Sequence, residues 1–216
     1  AVTNAAMQGI TFILLDASGN AVKLSKAADG AYRPDANGST DIVTDANGKA
    51  KVMYLPKGKY TLRETTPAGY KPQADAAVNL AGGANVAVKN EPLALTLTKV
   101  DSFTGKTLAG IAFTLLDASG TPVKLTKKSD GVYHYEPNGT ASFVTGADGK
   151  ATIYYIPTGA YTVRETTETA TGYAEAKDVP VTVTNDNGSE APATVRFAND
   201  PITLEFNKSD ALTKEP

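Results

Sequence analysis

Lys99, Glu165 and Asn199 are the residues of this chain whose types and positions could do chemistry. Lys99 follows Leu95-Thr96-Leu97-Thr98, an alternation of apolar and polar residues that reads as a half-buried strand. In that register Leu95, Leu97 and Lys99 share the inward face, while Thr96 and Thr98 face solvent. A lysine turned into a core is costly unless its charge is paired or lost. Glu165 follows Tyr161 and Val163 on one parity, and Asn199 follows Val195 and Phe197 in the same way. The pattern predicts that an amine, a carboxyl group and a carboxamide meet inside one β-domain. An ammonium has no lone pair, so Lys99 must lose its proton before it can attack the carboxamide carbon of Asn199. Burial favours the neutral form of an amine and of a carboxylic acid alike.

The elements that must position these groups are short strands. Asp16-Ala17-Ser18-Gly19, Asp45-Ala46-Asn47-Gly48 and Gly146-Ala147-Asp148-Gly149 are turn sequences, and Asn-Gly and Asp-Gly supply positive φ. Between such turns, strands are expected at Ile10 to Leu15, Val22 to Leu24, Ala31-Tyr32, Lys49 to Leu55 and Tyr60 to Glu64. Lys150 to Ile156 and Tyr161 to Glu165 continue the series. No window carries a sustained helical period. Frequent short strands with Gly/Asn/Asp turns predict an all-β fold of antiparallel sandwiches.

The chain is duplicated. Gly9-Ile10-Thr11-Phe12-Ile13-Leu14-Leu15-Asp16 returns as Gly110-Ile111-Ala112-Phe113-Thr114-Leu115-Leu116-Asp117, and the shift of 101 residues holds without a gap through Glu64 and Glu165. About half of those positions are identical, which marks duplicated domains and not a solenoid of short repeats. Ala68-Gly69-Tyr70 then corresponds to Thr171-Gly172-Tyr173, and the second copy makes a longer excursion through Asn185-Asp186-Asn187-Gly188. Both copies close alike, on Val86 to Asn90 and on Val195 to Asn199. The expected domains are 1–92 and 93–201, with 202–216 as the first strand of a following repeat or a donated strand. Only Glu91-Pro92 separates the copies, and proline makes that junction short and stiff.

Composition narrows the function classes. A net charge of -2 gives no nucleic-acid footprint. With no cysteine, disulfides, thiolate catalysis and thiolate metal sites drop out together. No run has the length and apolarity of a membrane span or signal peptide.

The combination of Lys99 and Asp101, Gly105, Leu108-Ala109-Gly110, Phe113, Asp148-Gly149 and Tyr161-Thr162-Val163-Arg164-Glu165-Thr166 resembles the B-type repeats of collagen adhesins and Gram-positive pilin shafts. Glu64-Thr65-Thr66-Pro67-Ala68-Gly69-Tyr70 repeats the same feature in the first copy, so the resemblance spans essentially the whole chain. It implies a transthyretin-like (prealbumin-like, Ig-like) sandwich carrying a spontaneous Lys-Asn isopeptide bond. On these positions it implies Lys99 as nucleophile, Asn199 as acceptor and Glu165 as proton shuttle, with Glu64 in the corresponding place in the first copy. It further implies a structural stalk of an extracellular, cell-wall-anchored surface protein whose partners are neighbouring repeats. The bond forms once per molecule, with no cofactor, so it is maturation and not enzymatic turnover.

The first copy lacks one piece of this set. Ala1 matches Ser102, so the counterpart of Lys99 would precede the first residue, although Glu64 and Asn90 are present. At the other end, Ile202-Thr203-Leu204-Glu205-Phe206-Asn207-Lys208-Ser209-Asp210 repeats the opening strand, with Leu204, Phe206 and Lys208 alternating as Leu95, Leu97 and Lys99 do. Three explanations are open. Lys208 belongs to a third repeat, or its strand folds back within the molecule, or it is donated head-to-tail to another molecule and brings Lys208 near Asn90.

Other residues have plainer explanations. His134 stands between Tyr133 and Tyr135 in an expected strand, without a triad partner at a recognisable spacing. Asp35-Ala36-Asn37-Gly38-Ser39-Thr40-Asp41 has part of a calcium loop but no downstream bidentate glutamate, so a turn is expected and no metal site. Leu55-Pro56-Lys57-Gly58 and Ile156-Pro157-Thr158-Gly159 look like sortase substrates without the required order of residues and are expected to be turns. Tyr32, Tyr60, Tyr133 and Tyr161 fit sandwich packing. The competing function class is an adhesive module whose loops bind a host matrix protein or glycan, and saturable binding to such a surface would favour it.

Overall fold

The computed structural model describes residues 5–166, 172–174 and 176–209. The matches of Ala1 with Ser102 and of Thr171 with Ala68, and Asp210 of the recurring strand, lie outside them. The chain divides into two compact units. One comprises Ala1–Leu93 with Tyr155–Thr158 and Asn185–Ala191; the other comprises Ala94–Tyr154, Gly159–Thr184 and Pro192–Pro216. The polar excursion of the second copy is thus grouped with the first unit. There the Glu91 carboxylate accepts from Ser189 Oγ at 3.0 Å and from Glu190 N at 3.3 Å.

The first unit carries β1 (Thr11–Leu15), β2 (Leu24–Lys26), β3 (Tyr32–Pro34), β4 (Asp41–Val43), β5 (Gly58–Glu64) and β6 (Ala76–Leu80). The second carries β7 (Ala94–Asp101), β8 (Ala112–Leu116), β9 (Leu125–Ser129), β10 (Val132–Tyr135) and β11 (Ser142–Val144). It continues with β12 (Lys150–Tyr154), β13 (Gly159–Glu165), β14 (Val179–Val183) and β15 (Ala193–Asn199). No helix occurs among the described residues.

The second unit is a sandwich of a five-stranded sheet, β15-β7-β12-β10-β9, and a four-stranded sheet, β11-β8-β13-β14. Most pairs are antiparallel, but β15–β7 and β10–β12 are parallel. The alternation expected for the opening strand holds. Leu95, Leu97 and Lys99 are buried, while Thr96 and Thr98 are half-buried on the other face. There Thr96 shares a hydrogen bond with Thr152. Phe113, Phe143 and Phe197 fill the interior, with the Phe113 and Phe197 rings edge-to-face at 5.0 Å. The Tyr133 hydroxyl donates to Val144 O and accepts from Val144 N, tying β10 to β11 on the opposite sheet. Tyr32 does the same to Val43 in the first unit. These tyrosines work as packing groups with a polar handle.

The first unit repeats the four-stranded sheet as β4-β1-β5-β6, but of the other sheet only the β2–β3 pair forms. One expected strand is therefore corrected, and the closing segment of the first copy departs from that of the second. Lys49 to Leu55 is not a strand; Val52 alone makes an isolated parallel bridge to Tyr32. Val86 to Asn90 forms none either, and Val86 is 41% exposed where its counterpart Val195 is 4%. The reason is in the second unit, where β7 lies between β12 and β15 and gives each its hydrogen-bonded edge. No described strand occupies the β7 place in the first unit, so neither neighbour has a ladder to join.

The paired and unpaired closing segments should differ in hydrogen exchange. Amides of Val195, Phe197 and Asn199, which face β7 in the parallel ladder, are expected to be strongly protected, and those of Val86, Val88 and Asn90 to exchange much faster. Equal protection of the two segments would contradict this fold.

Candidate functional site

Lys99 is fully buried, at 0% exposure. Its backbone explains how it is held there: Lys99 N donates to Gly149 O and Lys99 O accepts from Leu108 N, both at 2.9 Å. The side chain runs inward, with Nζ 5.7 Å from the centre of the Phe197 ring and donating to Val100 O at 3.3 Å. Burial pushes the lysine pKa below its ordinary value, although the carboxylates of Glu165 and Asp101 pull it the other way.

Asn199 reaches this place through the parallel β15–β7 ladder. Phe197 is paired with Lys99 and Asn199 with Asp101, so Lys99, Phe197 and Asn199 stand on one face. Glu165 comes from the other sheet, at the end of β13, where it is paired with Phe113 on β8. The sheets meet at a hydrogen bond from Asn199 Nδ2 to Glu165 Oε1, 3.1 Å long. Glu165 Oε2 and Asn199 Oδ1 are buried without a hydrogen-bond partner. Two buried acceptors without a partner create a demand for a donor at this place.

In the first unit Asn90 Nδ2 donates to Glu64 Oε1 at 2.7 Å, and Glu64 Oε2 is again buried and unpartnered. The pair therefore forms without an ordered closing strand. Lys208 lies in the exposed segment 202–208, in which Ile202 is 69%, Leu204 88% and Phe206 81% exposed.

A second polar cluster was less legible. Asp101 Oδ1 accepts from Phe103 N at 2.8 Å and Thr104 N at 2.7 Å, while Oδ2 accepts from the Tyr173 hydroxyl at 2.6 Å. These bonds, Tyr173 first, hold the carboxyl below the usual carboxylate range, and the same contact pushes the Tyr173 phenol up. Asp101 and Tyr173 belong to the motifs quoted above, but 72 residues separate them. Nothing local in the sequence pairs them.

The remaining candidates are structural. Asp35 caps its own turn, accepting from Asn37 N at 2.9 Å, and also accepts from Ser25 Oγ. His134 on β10 packs edge-to-face on Tyr154 of β12, and burial pushes its pKa down. Among the described residues no cluster of His, Cys, Asp or Glu could hold a metal.

The model of the SpaA prealbumin-like fold domain matches residues 1–92 and 94–201. The chain belongs to this family. It is similar to the minor pilin GBS52 of Streptococcus agalactiae at 20% identity, covering 95% of this chain and 88% of that one with a TM-score of 0.43. It is also similar to the shaft pilin SpaA of Lactobacillus rhamnosus GG at 19% identity, covering 92% and 90% with a TM-score of 0.44. The Bacillus anthracis TIE protein matches at 21% identity over 93% of this chain and 32% of its own length, with a TM-score of 0.42. No protein of curated function matches. As a member of this family, the chain has the prealbumin-like sandwich that its motifs imply.

The depressed lysine pKa has a consequence for stability. Asn199→Ala removes the carboxamide and leaves Lys99 a buried, titratable amine. Its folded pKa lies below the unfolded value of about 10.4, so the unfolded state binds more protons between the two and stability rises with pH in that window. Urea unfolding of Asn199→Ala is expected to show this alkaline gain, and the double variant Lys99→Met/Asn199→Ala to lose it.

Proposed function

We propose that the chain is a stalk or shaft segment of an extracellular, cell-wall-anchored bacterial adhesin or pilin, braced by an isopeptide bond between Lys99 and Asn199. The observation that carries this reading is a fully buried lysine, lowered in pKa, on a strand paired with the one whose end presents Asn199 to Glu165. The neutral Lys99 amine attacks Asn199 Cγ. The Nζ–Cγ bond forms and the Cγ–Nδ2 bond breaks. Glu165 takes the proton lost by Nζ and delivers it to Nδ2, which leaves as ammonia. If Glu165 enters as the acid, its Oε2 proton first polarises the carboxamide oxygen and is passed on before the Nζ proton replaces it, so the carboxyl group ends as it began. Folding supplies the proximity, worth roughly 7–11 kcal/mol of barrier. No water, metal or cofactor takes part, and each molecule reacts once.

The mechanical benefit follows from the ladder. In a parallel pair the start of β7 and the end of β15 lie at opposite ends, so tension on the chain shears the two strands along each other. A bond between them carries that tension past the rest of the unit. By analogy with a disulfide closing a loop of about 100 residues, the entropic gain is on the order of 4–5 kcal/mol.

Intact mass under denaturing conditions tests the reading. The chain should be lighter by one ammonia than its composition, and Lys99→Ala, Glu165→Ala and Asn199→Ala should each retain that ammonia. A wild-type chain at full mass would overturn it.

A second reading concerns the first unit, where Glu64 and Asn90 are hydrogen-bonded beside an unfilled strand position, while 202–208 is exposed with the alternation of β7. These features favour head-to-tail donation between copies, with Lys208 joined to Asn90 and Glu64 as the proton shuttle. A covalent ladder on a denaturing gel, abolished by Lys208→Ala, is the expected result. Monomer alone would exclude it.

A further inference from the structure

We infer that Asp101 and Tyr173 form a latch that positions Asn199 for the bond-forming step, an inference that rests on the isopeptide reading above. Asn199 is the last residue of β15, and the end of a strand frays unless something outside the ladder holds it. Here the chain on both sides of the ladder's end is held. Ser102 N donates to Asn199 O at 3.0 Å, which extends the β7 contact one residue beyond Asp101. Just after Asn199, Tyr173 bridges Pro201, Ala174 N donates to Asp200 O at 2.8 Å and Ile202 N donates to Gly172 O at 2.7 Å. The segment 172–174 therefore clasps 200–202 through the backbone. The Tyr173 hydroxyl then carries that clasp across to β7 by its 2.6 Å bond to Asp101 Oδ2.

Asp101 is well suited to receive it. Its other oxygen is fixed by Phe103 N and Thr104 N, and its backbone is fixed by Lys106 O and Gly105 N, so the carboxylate is rigid before Tyr173 arrives. Asp101 is paired with Asn199 in the ladder, two residues beyond Lys99 on the same face. The latch therefore closes two ladder positions from the reacting lysine. A hydrogen bond to a charged acceptor is among the stronger ones a protein makes.

The first unit carries a counterpart of the clasp. Tyr70 matches Tyr173, and the same backbone clasp is present. Tyr70 bridges Pro92, Lys71 N donates to Glu91 O and Leu93 N donates to Gly69 O, both at 2.8 Å. Yet 86–90 forms no strand. The closing segment there has no described β7 to pair with, so the backbone clasp is common to both units while the hydroxyl–carboxylate contact is described in the second.

Asp101 and Tyr173 are positioning residues, because neither supplies a reacting atom. The full chain is made by cell-free synthesis, quenched into denaturant at successive times, and weighed intact, while folding is followed separately by far-UV circular dichroism. Tyr173→Phe keeps the ring and removes the hydroxyl. It is expected to fold at the wild-type rate and to lose ammonia about tenfold more slowly, as loss of one charge-assisted hydrogen bond implies. Asp101→Ala should slow the step at least as much, and the double variant should be no slower than Asp101→Ala, as expected of two residues acting through one contact. Asp101→Asn, which keeps a hydrogen-bonding partner for Tyr173 and the turn acceptor, should recover part of the rate. Equal ammonia loss in wild type and Tyr173→Phe overturns the latch, as does slowing that is additive in the double variant. If Tyr173→Phe does not fold, additivity is judged from Asp101→Asn with and without Tyr173→Trp, and an additive result again overturns it. A wild-type chain that never loses ammonia overturns the isopeptide reading itself, which is a separate outcome.

Discussion

Keeping a lysine side chain out of water is the constraint on which the second unit depends. Lys99 is flanked by β12 and β15, carries Phe197 across its side chain and sits opposite a glutamate from the facing sheet. A charged ammonium in such a place is unfavourable, and a neutral amine is a nucleophile. Under the isopeptide reading, the surroundings that make the residue costly are the ones that make it reactive. On the proposed chemistry, the cost is removed for good once the amine becomes an amide.

That arrangement also accounts for the ladder topology. Two parallel pairs are set into an otherwise antiparallel sandwich, and one of them joins the first and last strands of the unit. A parallel pair requires a long connection between its strands, and here nearly the whole unit is that connection. The result is a pair of neighbours with the greatest sequence separation in the unit, where a covalent tie constrains the unfolded chain most. Glu165 then comes from the opposite sheet, so under the proposed chemistry the tie forms only after both sheets have packed.

The two units amount to a comparison written into one chain. They share about half their residues over the aligned stretch, the same four-stranded sheet and the same Asn–Glu hydrogen bond. Among the described residues, only the second has a strand in the β7 place. With it, 150–154 and 193–199 are strands; without it, 49–55 and 86–90 are not. Local propensity is nearly the same in both copies, so the difference is tertiary: a strand is defined by the edge it pairs with.

Much of the candidate site was legible in the sequence because strands alternate with a period of two. Parity alone placed Lys99, Glu165 and Asn199 on inward faces, and the duplication marked Glu64 and Asn90 as their counterparts. The turn sequences at Asp16, Asp45 and Gly146 followed from the φ preferences of Gly and Asn. What periodicity cannot encode is which edges meet. The parallel register of Phe197 with Lys99, the meeting of Asp101 and Tyr173 across 72 residues, and the failure of 49–55 and 86–90 to become strands were decided by the tertiary structure. The side-chain pattern was written locally. The hydrogen bonds that turned it into a sheet came from chain segments far away, and only folding brought them together.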